Sequence, residues 1–301
     1  MRATITRQQL MTATAMHQEN QHRSLTADTD TPTGRILLED LGTLRFEGAD
    51  VAGFLQGYLT TDTADLGSEP RFTAMCNIKG RVVCTGYAWL DDGSVTLVLH
   101  RSLCPAVLEF LRPYLAFSRS AASEVPSRVV GVTHAEPLPG QLDSLPGGRL
   151  DDGRYLFALD ETTPAGKLED LRELDPGHWD ALLTERREVW LQSATSGRFL
   201  PQMLGLDERD AVSFSKGCYL GQEVVARAQH RGAVKRRLTA LDWSGTAPAP
   251  GTAIQADGRE VGVVVAAAGT ATAGQALAVL VRDRSGPFAS DRADTRFRLP
   301  V

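Results

Sequence analysis

The stretch Lys216-Gly217-Cys218-Tyr219-Leu220-Gly221-Gln222-Glu223, set within the longer run from Phe214 to Arg237, decides how the chain reads. It gathers an ammonium, a thiol, a phenol, an amide and a carboxylate into a few residues, and its glycines, Gly217 and Gly221, free the backbone for positive φ or close approach. A turn that only connects two elements has no need of such chemistry. Cys218 admits two readings. A lone cysteine is usually a small buried hydrophobe. Here Lys216 lies two residues away and glycine amides flank the sulfur, and cations and amide dipoles both favour thiolate, the nucleophilic and metal-binding form. Hydrolase-type catalysis would require a histidine held as base. His230 is the nearest in sequence, and nothing in the sequence sets its geometry.

Just past the motif, Arg227, His230, Arg231, Lys235, Arg236 and Arg237 form a basic cluster. It reads as a solvated face or as a cradle for a polyanion. The net charge of -5 favours a small anion over nucleic acid, so direct tRNA binding is open but not favoured. The other cysteines, Cys76, Cys84 and Cys104, fall in strand or helix patterns that suit burial. The four form no C-x-x-C pair and no zinc-ligand spacing, so no metal site is expected. A disulfide framework does not fit so large and cysteine-poor a chain, which points to a reduced, cytoplasmic protein.

With 301 residues, 42% hydrophobic and 23% charged, the chain can bury a large core in two or three domains. No apolar run approaches the ~20 residues that span a bilayer. Residues 1–34 lack a repeating apolar face and read as a flexible tail. Their Arg2, Arg7 and Arg23 against Glu19 suggest a mitochondrial transit peptide as the alternative. From Arg35 to Phe46 two short strands are expected around Gly42, followed by a helix capped by Asp50. Phe72 to His100 reads as a meander of Phe72–Cys76, Arg81–Leu90 and Val95–Leu99, turning at Asp92-Gly93. Pro105 suits the first turn of a helix carrying Val107, Leu108 and Leu111, whose length Pro113 limits. A second cycle follows, with strands at Val129–Val132 and Tyr155–Leu159, a Pro- and Gly-rich loop from Pro137 to Gly148, and helices at Ala165–Leu174 and Trp179–Val189. Two related α+β units, one after the other, are the expectation. Beyond Arg237, Leu238–Trp243, Gly251–Ile254, Val261–Ala266 and Ala276–Val281 are short β runs between Gly-, Pro- and Thr-rich turns, the pattern of a small antiparallel barrel. The boundary is placed near Gly232–Arg236.

Lys79-Gly80-Arg81 is a second cationic turn, or simply a hairpin corner. Trp179, at the start of a helix, is either core or a flat platform for a heteroaromatic ligand.

These residues carry a resemblance. Lys216 to Glu223 is similar to the K-G-C-Y-x-G-Q-E signature of the YgfZ family of folate-binding proteins, relatives of the T-protein (aminomethyltransferase) of the glycine cleavage system. Three flanks support it: Gly48-Ala49-Asp50 with Phe54-Leu55-Gln56-Gly57, Lys79-Gly80-Arg81, and Phe199-Leu200-Pro201-Gln202. It spans Leu37 to Val281. The resemblance implies an α+β class: a three-part, ring-like, aminomethyltransferase-type folate-binding fold. Residues 35–232 would form two α+β subdomains and 233–301 the C-terminal β-barrel. It implies tetrahydrofolate in the central hole and a role in assembling or repairing iron–sulfur clusters of client enzymes, tRNA-modifying ones included. Folate and iron–sulfur client or assembly proteins are then the expected partners. Trp179 matches a family tryptophan placed against the folate, while Leu41 stands where some members have a second. Lys216 and Arg227 would lie near the folate carboxylates or the thiol, with Tyr219, Lys79 and Arg81 in the same site. Gln222 and Glu223 would orient the loop, and Cys218 would be a redox or transient ligand. One departure separates this chain from the transferase, whose meander carries Gly-Gly-x-x-Asp-Asp. Here Gly80-Arg81-Val82-Val83-Cys84-Thr85 has no carboxylate to steady a developing iminium. Folate-dependent one-carbon transfer is therefore the alternative reading, and a tRNA-binding module a third.

Overall fold

The fold is seen in a computed structural model that describes residues 32–133, 142, 145–150, 153–161, 163, 166–230, 234–284, 286–291 and 294–300. Residues 1–31 of the tail read at 1–34, most of the 137–148 loop, and Arg231 and Gly232 lie outside the described residues, while Gly34 already lies in a strand. Among the described residues, fifteen strands and four helices follow in chain order: β1 (Gly34–Leu37), β2 (Leu41–Gly48), α1 (Val51–Gln56), β3 (Arg71–Cys76), β4 (Val82–Asp91), β5 (Ser94–His100), α2 (Cys104–Ser118), β6 (Ser120–Val125), β7 (Arg128–Thr133), β8 (Gly147–Arg149), β9 (Tyr155–Leu159), α3 (Pro176–Glu185), α4 (Gln222–His230), β10 (Arg236–Gly245), β11 (Ala253–Ala256), β12 (Arg259–Gly269), β13 (Ala273–Val281), β14 (Phe288–Ser290) and β15 (Thr295–Arg298).

They make three sheets: β3-β4-β5-β2-β6, β1-β7-β9-β8, and a closed barrel β10-β13-β12-β11-β14-β15. The meander reads as near-continuous apolar runs because β4 and β5 are covered on both faces. Its turn uses Asp92 and Gly93, both at positive φ, which matches the right-handed twist of the flanking strands. The barrel leaves no open edge in its sheet.

The two α+β units are not strung in series as the sequence suggested. β1 pairs with β7 in the four-stranded sheet, whereas β2, which follows it directly, pairs with β5 and β6 in the five-stranded one. The chain crosses between units at Leu38-Glu39-Asp40. Gly42 is correspondingly not the turn but an interior residue of β2. A Cβ there would sit 2.7 Å from Cys104 Sγ, so glycine lets the strand approach the start of α2.

Two helix expectations are corrected. Pro113 does not end its helix, and α2 runs on to Ser118. The proline is exposed, so the hydrogen bond it cannot make lies on the solvent side while Val107 and Leu111 pack inward. The pattern at Ala165–Leu174 yields only a 3-10 turn at Gly166–Leu168. Its end is drawn out instead along β1, where Arg35 N–H donates to Arg172 O and Leu174 N–H to Arg35 O. The expected Trp179–Val189 helix is α3, shifted to Pro176–Glu185 with Asp175 as its cap and Pro176 in its first turn. It lies between the four-stranded sheet and the barrel strands β12 and β13.

Candidate functional site

A cavity of about 460 Å³ opens where the three sheets meet. Its walls come from the crossover Leu37–Leu41, from His100 at the end of β5, from Glu173 to Leu183 around α3, from Glu188 to Gln192, and from barrel residues Pro248, Pro250 and Val265–Ala267. That size is within the range of small-molecule sites. Trp179 and Leu41, named from sequence at positions far apart, share this one cavity.

Trp179 is buried, and its six-membered ring lies on Gly131 of β7. A Cβ at that glycine would fall 2.7 Å from Cζ3. The Arg154 guanidinium sits 4.6 Å from the ring centroid. The indole N–H of Trp179 is buried without a hydrogen-bond partner among the described residues. A second indole, Trp190, lines the same cavity and donates to Glu188 Oε1 at 2.9 Å. It packs against Tyr87, with ring centroids 5.7 Å apart.

Glu188 is fully buried and joins all the neighbouring pieces. Its Oε2 accepts from Arg154 at 2.5 Å, from Arg209 at 3.0 Å and from the Tyr87 hydroxyl at 3.0 Å. A charge buried to this degree is tolerable only when paired and hydrogen-bonded. Thr85 fixes the same segment: its hydroxyl donates to Val189 O at 2.7 Å and accepts from Leu191 N–H at 2.9 Å. The position that carries an aspartate in the transferase pattern therefore anchors the wall that presents Glu188 and Trp190. Elsewhere at the rim, burial and the neighbouring Asp40 and Asp175 carboxylates raise the pKa of Asp180, while burial lowers that of His100 against an opposing pull from Asp40.

The Lys216–Glu223 loop forms a separate centre, and none of its residues lines that cavity. It and the residues before it are sewn to the 57–60 turn after α1: Leu220 N–H donates to Gly57 O, Ser213 N–H to Thr60 O and the Thr60 hydroxyl to Ala211 O, while Thr60 N–H donates to Ala74 O of β3. The Lys216 side chain turns inward, and Nζ donates to Leu59 O at 2.8 Å and Thr61 O at 2.7 Å. Burial lowers its pKa to about 8, against a smaller opposing pull from Asp62. Its ammonium is thus committed to backbone carbonyls and lies 5.3 Å from the Tyr219 ring centroid. Tyr219 is buried too; burial raises its pKa, and its hydroxyl has no partner among the described residues. Gln222 Oε1 accepts from Tyr219 N–H at 3.0 Å, closing the turn into α4, while Glu223 and Arg227 are exposed on that helix.

Lys79-Gly80-Arg81 does meet this loop. Gly221 and Gly80, both at positive φ, touch back to back; a Cβ on Gly221 would fall 2.3 Å from Asn77 O, and one on Gly80 would fall 2.9 Å from Val224 Cβ. Lys79 is exposed, whereas Arg81 reaches Arg198 O at 3.0 Å. Cys218 alone of the four cysteines is exposed. Burial pushes the thiols of Cys76, Cys84 and Cys104 up to about 12, which keeps them protonated. Of the basic cluster, Arg236 and Arg237 border a groove together with Arg282, Asp207 and Glu208, and Arg237 pairs with Glu208 at 2.7 Å.

Sequence reasoning missed Glu188, Arg154, Trp190, Asp40 and Asp180. Arg186-Arg187-Glu188 falls at the end of the expected Trp179–Val189 helix, and nothing in its local pattern marks Glu188 as buried. The one available signal was Trp190, an aromatic just past a helix end.

The comparisons agree with this architecture. Residues 235–300 match the model of the CAF17 C-terminal beta-barrel domain. The tRNA-modifying protein YgfZ of Sodalis glossinidius is 33% identical over 231 residues, covering 69% of this chain and 70% of its own. That of Escherichia coli K12 is 30% identical over 246 residues, covering 74% and 76%. Among solved structures, the glycine cleavage system aminomethyltransferase T from Bartonella henselae superposes with a TM-score of 0.66 at 14% identity, over 88% of this chain and 84% of that one. With the signature loop, the ring of three sheets and these relatives in agreement, the chain belongs to the YgfZ family and has the aminomethyltransferase fold.

Proposed function

We propose that this protein binds tetrahydrofolate in the cavity at the junction of its three sheets and serves iron–sulfur enzymes, those that modify tRNA among them, from the cytoplasm. The observation that carries the reading is the convergence of Trp179, Trp190 and Glu188 on one cavity of about 460 Å³. The unpartnered, buried indole N–H of Trp179 is the kind of polar atom a bound heteroaromatic could satisfy. The flat ring would lie among Trp179, Trp190 and Leu41, with Glu188 accepting from its N–H groups. Bound tetrahydrofolate supplies one-carbon chemistry, but this chain offers no carboxylate at Cys84 or Thr85 to assist transfer. The Thr85 hydroxyl is already committed to Val189 and Leu191.

Cys218 is the proposed point of contact with clients, as a redox or transient sulfur or iron ligand. It is exposed on a loop held rigidly from behind by Lys216, Gly221 and Gln222. Lys216 would act by shaping this loop, because its ammonium faces carbonyls.

Titration of the purified protein with tetrahydrofolate tests the reading. Trp179→Ala should abolish binding and Cys218→Ser should retain it. In a strain lacking the protein, Cys218→Ala should fail to restore the activity of iron–sulfur enzymes; full restoration would remove the thiol from the proposal. Formation of methylene-tetrahydrofolate from a methylamine substrate would favour one-carbon transfer instead.

A further inference from the structure

The cavity assigned above to a folate has a charge pattern that distinguishes one folate from another, and this inference rests on that assignment. The described residues lining it include five carboxylates, Glu39, Asp40, Glu173, Asp180 and Glu188, and neither a lysine nor an arginine. Two of the five are neutralised locally: Glu188 by Arg154 and Arg209, and Glu173 by Arg35 at 3.1 Å. Arg101 approaches the rim and donates to the backbone oxygens of Glu39 and Leu41 at 3.0 and 2.8 Å, so its charge offsets one of the three remaining carboxylates. Asp40 and Asp180 have no ion-pair partner among the described residues, and they feel each other, since Asp40 helps to raise the Asp180 pKa. His100, the remaining titratable lining residue, is held toward its neutral form by burial.

The cations expected to meet a folate tail lie elsewhere. Lys216 is spent on Leu59 O and Thr61 O, Arg81 on Arg198 O, and neither they nor Lys79 and Arg227 line the cavity. The head of a reduced folate is uncharged, flat and rich in N–H donors, which suits two indoles and a set of carboxylates. Its tail is the reverse. Each γ-linked glutamate adds a negative charge, which the unpaired Asp40 and Asp180 carboxylates of the lining repel.

We infer that the cavity takes the amino-heteroaromatic head of a reduced pterin and discriminates against γ-glutamate extension, so that its ligand class is tail-less or monoglutamyl reduced pterins and not polyglutamyl folates. The carboxylate rim is the selecting element.

Calorimetric titration of the full-length protein with 6-methyltetrahydropterin, tetrahydrofolate and its triglutamate tests this. The tail-less pterin should bind at least as tightly as tetrahydrofolate, and the triglutamate roughly tenfold or more weakly than tetrahydrofolate at low ionic strength. That gap should shrink at about 0.5 M salt, because the repulsion is screened. It should also narrow in Asp40→Asn and further in Asp40→Asn with Asp180→Asn. Triglutamate binding as tight as, or tighter than, tetrahydrofolate overturns the inference, as does failure of the tail-less pterin where tetrahydrofolate binds. If none of the three binds, the folate reading fails and this inference with it.

Discussion

Lys216 carries a charge that suggests ligand binding, yet its ammonium faces the backbone oxygens of Leu59 and Thr61. Removing its ammonium strands two buried carbonyl oxygens, so Lys216→Met should cost roughly 2–3 kcal/mol in urea unfolding. The pH dependence has a definite sign. Because burial lowers the folded pKa to about 8 from 10.5, the unfolded chain binds more protons in that interval. Stability due to this group therefore rises as pH climbs from 8 to 10.5, and is reduced wherever the folded lysine must stay charged. Relative to Lys216→Met, the wild-type unfolding free energy should increase across that window. Gly131 gives a second residue-scale test. Gly131→Ala drives a Cβ into the Trp179 indole, which should destabilise the protein by roughly 1–3 kcal/mol and weaken tetrahydrofolate binding in the same titration.

At the scale of elements, the signature loop and the 77–81 turn behave as one unit because two glycines at positive φ let their backbones touch. Gly221→Ala should cost at least about 1–2 kcal/mol for the left-handed backbone alone, with the Asn77 clash added. The check is a thermal melt together with the alkylation rate of Cys218, which should change as the loop shifts. Most elements were legible. Short apolar runs between turn residues located the meander strands and four of the six barrel strands, Asp50 marked the start of α1, and Asp92-Gly93 marked the hairpin. The failures have tertiary causes. Pro113 reads in sequence as a limit on helix length, but packing of Val107 and Leu111 carries α2 through it. Helical spacing before Leu174 was overridden by backbone pairing to Arg35, which satisfies N–H and C=O groups just as well.

In the whole molecule, Glu188 ties β9 through Arg154, the five-stranded sheet through Tyr87 and the segment before the signature loop through Arg209. Glu188→Leu leaves Arg154 buried beside an apolar group. It should lose roughly 3–5 kcal/mol of stability, read by denaturant unfolding, and tetrahydrofolate binding along with it. The sequence by itself determined the family, through the Lys216–Glu223 signature, and the class of the fold, through local periodicity and turn chemistry. Those signals lie within a few residues of one another. The tertiary structure decided the site. Asp40, Trp179, Glu188 and Trp190 converge only because β1 and β2 split between two sheets and α3 lies against the barrel. Burial and charge pairing act through space, so the inward turn of Lys216 and the absence of lysine and arginine from the described cavity lining could not be read along the chain.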